Sequence, residues 1–218
     1  MKTVIAIASA ALACACGATA NAASPFAYTL TGLYNTGVDD SGAKLADAGA
    51  TDTHYVLNGG AAGSPVTYQD GAYVVAPDAV FIAAQSDGGY TVQPNIYTLT
   101  FTATGDLSSA ALSGKWAVDN FGTIDLNGHQ ISSIPDNGTF GSLHGFSAPS
   151  ADFLPGTNTL QINVGDSGPP SAFVISGLQA GAAGAVPEPA TWAMTILGLF
   201  GAGAMLRRRH RPALSTTA

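Results

Sequence analysis

From residue 95 to residue 104 apolar and hydroxyl side chains alternate, with Tyr97, Leu99 and Phe101 on one side of the chain and Thr98, Thr100 and Thr102 on the other. Successive side chains of an extended backbone point to opposite faces. The run therefore predicts a strand with one face in a core and a hydroxyl-bearing face outside. Shorter runs of the same kind lie at 26–33, where Tyr28 and Leu30 share a face, and at 53–57, 73–75, 79–83, 143–146, 159–164 and 172–176. Clusters of Gly, Asn, Asp and Pro separate them, among them Asn58-Gly59-Gly60, Pro77-Asp78, Gly88-Gly89 and the segment 153–158. These residues favour turns, through a free or fixed φ or through side chains that bond their own backbone. Segments 37–50 and 135–141, rich in them, read as loops.

The sharpest local signal lies in 112–131. Trp116 and Val118 fall on one face, as do Ile124 and Leu126, and Asn127-Gly128 stands between two alternating runs. A type I′ turn needs positive φ at both central residues, which Asn and Gly tolerate, so a hairpin is predicted there. A two-residue loop would set Leu126 opposite His129 and Ile124 opposite Ile131, keeping the apolar pair on one face.

No long amphipathic helical pattern occurs in 23–180, and no internal repeat. Roughly ten short strands at this spacing predict an all-β domain, a two-sheet β-sandwich, with a closed barrel as the alternative arrangement.

Both ends depart from this pattern. Lys2, an apolar run at 4–13 and the small-residue site Ala20-Asn21-Ala22 read as a signal peptide, 1–22, for signal peptidase to remove after Ala22. Cys14 and Cys16, the two cysteines of the chain, fall inside it, so the exported body is expected to carry no disulfide. At the other end, Gly and Ala at 181–185 begin a flexible spacer that runs to Pro189. The seventeen residues of 190–206 carry no charge. As a helix they extend about 25 Å, the short end of a transmembrane span. Arg207, Arg208, Arg209 and Arg211 follow at once, and such a cluster is held on the cytoplasmic side. The tail 207–218 is then cytoplasmic and the body lies outside, the precursor being a single-pass protein of the inner membrane. Pro187 and Pro189 keep Pro187-Glu188-Pro189 extended and accessible before the span, and Trp192 is placed as an interfacial anchor.

Taken in order, Pro187, Glu188, Pro189, Trp192, Ala193, the Gly-containing apolar stretch and the run Arg207, Arg208, Arg209 resemble the PEP-CTERM sorting tail in its PEPxxWA form. The resemblance covers about 25 residues and rests on an ordered combination rather than on Pro-Glu-Pro alone. It implies an exosortase of a Gram-negative bacterium as the partner that recognises and removes the tail. It also implies a secreted or cell-surface destination, often in association with extracellular polysaccharide. The extension 212–218 after the arginines departs from the pattern.

A second resemblance lies in the body. Gly114-Lys115-Trp116-Ala117-Val118-Asp119-Asn120, then Ile124-Asp125-Leu126-Asn127-Gly128, then the segment 153–160 are similar to the G-x-W-x-x-D-N, L-N-G and G-x-N-x-L pattern of galactose-binding-like jelly rolls in exported bacterial proteins. It implies a jelly-roll sandwich and permits glycan binding.

Charge narrows the function. The stretch 23–186 holds thirteen Asp against Lys44 and Lys115, a net charge of −11. Such a body repels phosphate backbones and anionic headgroups, which excludes nucleic acid as a partner. Asp119, Asn120 and Asn127 are the candidate ligand residues: their oxygens suit sugar hydroxyls or a hard cation such as calcium. Asp and Asn at such places also cap their own backbone, and turn chemistry is the favoured reading of the three. Trp116 could stack on a sugar, but its alternation with Val118 assigns it to the core. His54, His129 and His144 lack metal-ligand spacing, so no metal site is expected. The body carries no Gly-x-Ser-x-Gly, no cysteine nucleophile and no phosphate loop, and its acids stand in turn contexts. The expectation is a protein that is not an enzyme, a glycosidase with paired carboxylates being the weaker alternative.

Overall fold

The computed structural model describes residues 27–60, 64–89, 94–136 and 139–181. The expected signal peptide, the Pro-Glu-Pro motif, the apolar segment 190–206 and the arginine cluster lie outside the described residues. Among the described residues no helix is long and apolar enough to cross a membrane.

The described chain forms eleven strands: β1 (Tyr28–Thr31), β2 (Tyr55–Leu57), β3 (Val66–Thr67), β4 (Ile82–Ala83), β5 (Asn95–Gly105), β6 (Leu112–Asp119), β7 (Phe121–Leu126), β8 (His129–Ile134), β9 (His144–Ala148), β10 (Gly156–Gly165) and β11 (Ala172–Ala180). The first sheet runs β1-β5-β10-β7-β8, with β2 also on β5, and the second runs β3-β4-β11-β6-β9. Every pairing is antiparallel. From β5 onward the chain crosses between sheets at each connection except the β7–β8 hairpin, which makes a sandwich of jelly-roll type and not a closed barrel.

Between the sheets lies the main core. Tyr97, Leu99 and Phe101 of β5, Ile124 and Leu126 of β7, and Leu160, Ile162 and Val164 of β10 meet Trp116 and Val118 of β6 and Phe173 and Ile175 of β11, all buried. Each such side chain contributes about 1.5–3 kcal/mol relative to exposure. The threonine side of β5 is outside, as its alternation predicts. A second apolar cluster covers the outer face of the second sheet. Tyr73, Ala76, Ala79 and Phe81 pack on Ala83, Ala117, Ala172 and Val174. With both faces covered, β6 and β11 are buried along most of their length and alternate poorly.

Three expectations are corrected. The run 73–75 is not a strand: Tyr73 closes a turn onto the Asp70 carbonyl, Val74 bonds the Phe140 carbonyl, and these two side chains pack over the second sheet while Val75 is exposed. The pair β3–β4 forms where only the second member was expected. In the hairpin Asn127 and Gly128 take φ of 51° and 84°, and Leu126 faces His129, but Ile124 faces Ser132 rather than Ile131. A bulge after Gln130 inserts the extra residue, and so turns Ser132 toward Trp116.

Candidate functional site

The structure does not bring Asp119, Asn120 and Asn127 together. Asp119 and Asn120 stand before β7 and Asn127 after it. Six residues at ~3.3 Å rise separate the ends by about 20 Å. Calcium takes six to eight converging oxygens, and these three do not fit it as a common donor set.

Each of the three has a structural task. Asn127 donates from Nδ2 to the Asp152 carbonyl and to Asn158 Oδ1, both at 2.7 Å, and its Oδ1 accepts from Thr159 N at 3.0 Å. Asn158, fully buried, in turn holds the 154–156 turn through Leu154 and Gly156. Asn120 Oδ1 accepts from Ser167 N at 3.0 Å. Asp119, at 4 % exposure, accepts from the Tyr73 hydroxyl at 2.8 Å. Burial pushes the Asp119 carboxyl up, the Tyr73 bond opposes that, and the neighbouring Asp166, Asp70 and Asp136 add to it. Tyr73 is pushed well up by burial first and by Asp119 second. Trp116 is fully buried and presents no platform to a sugar.

What the fold does assemble is the outer face of the first sheet. Register places Thr31, Thr102 and Thr157 in one row, Thr100 and Thr159 in the next, then Thr98, Gln161, Asp125 and Gln130, then Asn163, Thr123 and Ser133. Neighbouring strands stand about 4.8 Å apart, so these polar groups form a lattice. Part of it is fixed by its own bonds: Asn163 Nδ2 donates to Thr123 Oγ1 at 3.0 Å and to Asp125 Oδ2 at 2.7 Å, Thr123 Oγ1 donates to Asp125 Oδ2 at 3.0 Å, and Gln161 Nε2 donates to Asn163 Oδ1 at 3.3 Å.

The lattice ends at an aromatic ring. Phe121 pairs with Gly165 across β7 and β10, and its ring occupies the space a side chain at 165 would fill. At 36 % exposure it borders an open cleft of about 610 Å³ with Thr123, Ser133, Asp136, Asn163 and Ser167. A second cleft, of about 250 Å³, lies by Lys44, Tyr68 and Asp70. Asp70 lines the smaller cleft and Asp136 the larger.

The alternation along β5 marks its threonine face, but nothing local marks Phe121, Asp125, Gln161 or Asn163 as its neighbours. Their alternation was visible, whereas their alignment depends on which strands pair. The histidines are scattered: His54 stacks on Tyr34 with centroids 3.6 Å apart and contacts Asp40 at 3.2 Å, His144 contacts Ser142, and His129 stands 4.0 Å from Asp152. Among the described residues no three His, Cys, Asp or Glu side chains group as a metal site.

No protein-family profile and no curated protein sequence matches the chain. Among solved structures it is similar to a family 35 carbohydrate binding module from an environmental isolate, at 13% identity and a TM-score of 0.33, over 53% of this chain and 82% of that one. It is also similar to part of a GH31 α-xylosidase from Xanthomonas citri, at 11% identity and a TM-score of 0.28, over 75% of this chain and 16% of the xylosidase.

Proposed function

We propose that this chain is an exported, exosortase-processed, non-catalytic β-sandwich of the cell surface or exopolysaccharide matrix, and that it holds glycan against the outer face of its first sheet. The observation that carries the glycan reading is the hydrogen-bonded Thr123–Asp125–Asn163–Gln161 lattice ending at the Phe121 ring. Prearranged amide and hydroxyl groups match sugar hydroxyls, and an exposed ring beside them matches the C–H face of a pyranose. The acidic body favours a neutral or sparsely charged chain over a dense polyanion.

Export and processing rest on the sequence: a signal peptide at 1–22, then Pro187-Glu188-Pro189, Trp192 and Arg207 to Arg209 after the last strand. Two measurements test the proposal. Mass spectrometry of the surface-displayed protein should find the C-terminus upstream of Arg207, and intact arginines there would overturn the processing. Sedimentation of the full-length protein with the producer's own polysaccharide should show saturable retention that Phe121→Ala weakens. Equal retention of the variant would overturn the assignment of this face.

A further inference from the structure

The smaller cleft lies on the opposite side of the sandwich, where residues 68–81 cover the second sheet. Its wall is aromatic: Tyr68 and Tyr73 meet edge to face at 5.8 Å, and Tyr73 packs on Phe81 at 4.4 Å. Val75 on its border is 85 % exposed, the most exposed of the large apolar side chains described. Gln69 and Asp70 line the same cleft. Lys44 reaches its rim, with Nζ donating to the Ala76 carbonyl at 3.2 Å.

Lys44 is one of only two cationic residues in 23–186, against thirteen acids. The other, Lys115, stands exposed on β6 outside this cleft. An ammonium has three N–H donors, and the Ala76 carbonyl occupies one of them. The cleft thus joins four things: an apolar and aromatic wall, one point of positive charge, and an amide and a carboxylate able to accept hydroxyl protons. That combination suits a small ring with an apolar face, several hydroxyls and one negative charge.

We propose that this cleft takes a single uronic-acid residue of a sparsely charged polysaccharide. Its carboxylate would sit on Lys44, its C–H face against Tyr68 and Val75, and its hydroxyls toward Gln69 and Asp70. A dense polyuronate is disfavoured, because the negative body repels every charge except the one that Lys44 receives. This site is separate from the first-sheet face and does not depend on it.

The test is calorimetry on the purified full-length protein with methyl β-D-glucuronide, methyl β-D-glucoside and polygalacturonate as probes. Saturable glucuronide binding, roughly tenfold tighter than glucoside, is the expected result, since a hydrogen-bonded charge contact is worth about that factor. Lys44→Met should erase the preference, while Lys115→Met and Phe121→Ala should leave it intact. Polygalacturonate should bind more weakly per uronate than the glucuronide. Equal affinity for glucuronide and glucoside, no glucuronide binding, or an unaffected Lys44→Met variant would overturn the site. Tighter polygalacturonate binding would overturn its restriction to sparse charge.

Discussion

The indole Nε1 of Trp116, on β6 of the second sheet, donates to Ser132 Oγ, on β8 of the first, at 2.9 Å across a fully buried ring. The bond exists because the bulge after Gln130 sets Ser132 opposite Ile124. A tryptophan N–H buried without an acceptor would bear the whole desolvation cost. Ser132→Ala should therefore lower stability by about 1–3 kcal/mol. Urea denaturation followed by the fluorescence of Trp116 measures it, and an unchanged midpoint would mean that the bond contributes nothing.

Asn127 is a structural clamp. Asn127→Gly keeps the positive φ but removes three hydrogen bonds to Asp152, Asn158 and Thr159. A loss of about 1–3 kcal/mol is expected in the same denaturation assay, with glucuronide binding unchanged. A ligand-binding role would reverse that pattern.

Asp119 gives the fold an acid response. Its carboxyl lies above the usual 3.8 chiefly through burial. Between 3.8 and that raised value the folded state binds more protons than the unfolded one, so this group adds stability as pH falls through the window and costs stability once ionised. Asp119→Asn should be at least as stable as the parent at neutral pH, with the Asn oxygen accepting from Tyr73. It should also gain less on acidification toward about 4. Burial raises Asp52 and Asp166 as well, so the slope shrinks without vanishing. The readout is the difference between the two melting-versus-pH curves, and parallel curves would refute the assignment.

Gly165 sets the pose of Phe121. A methyl group at 165 would collide with the ring, so Gly165→Ala must displace it. Weakening of polysaccharide retention by about fivefold to tenfold is expected for Gly165→Ala and Phe121→Ala alike. Phe121→Ala should scarcely change the melting temperature, because the ring lies outside the core. Full retention by the glycine variant would show that the ring's position is immaterial.

Part of this fold is written in local periodicity. The alternation of β5 and β10, the positive-φ turn at Asn127-Gly128 and the inward Trp116 all follow from neighbours within a few residues. Long-range pairing set which strands lie side by side, and with that the row that joins Thr98, Gln161, Asp125 and Gln130 from four strands. It also placed Tyr73 and Val74 as a cover for the second sheet, and burial on both faces of β6 removes the alternation that would have revealed it. The bulge that pairs Ile124 with Ser132 belongs to the same class. A single inserted residue changes every partner beyond it, and it is selected by the fit of Trp116 between two sheets, which no window of neighbouring residues contains.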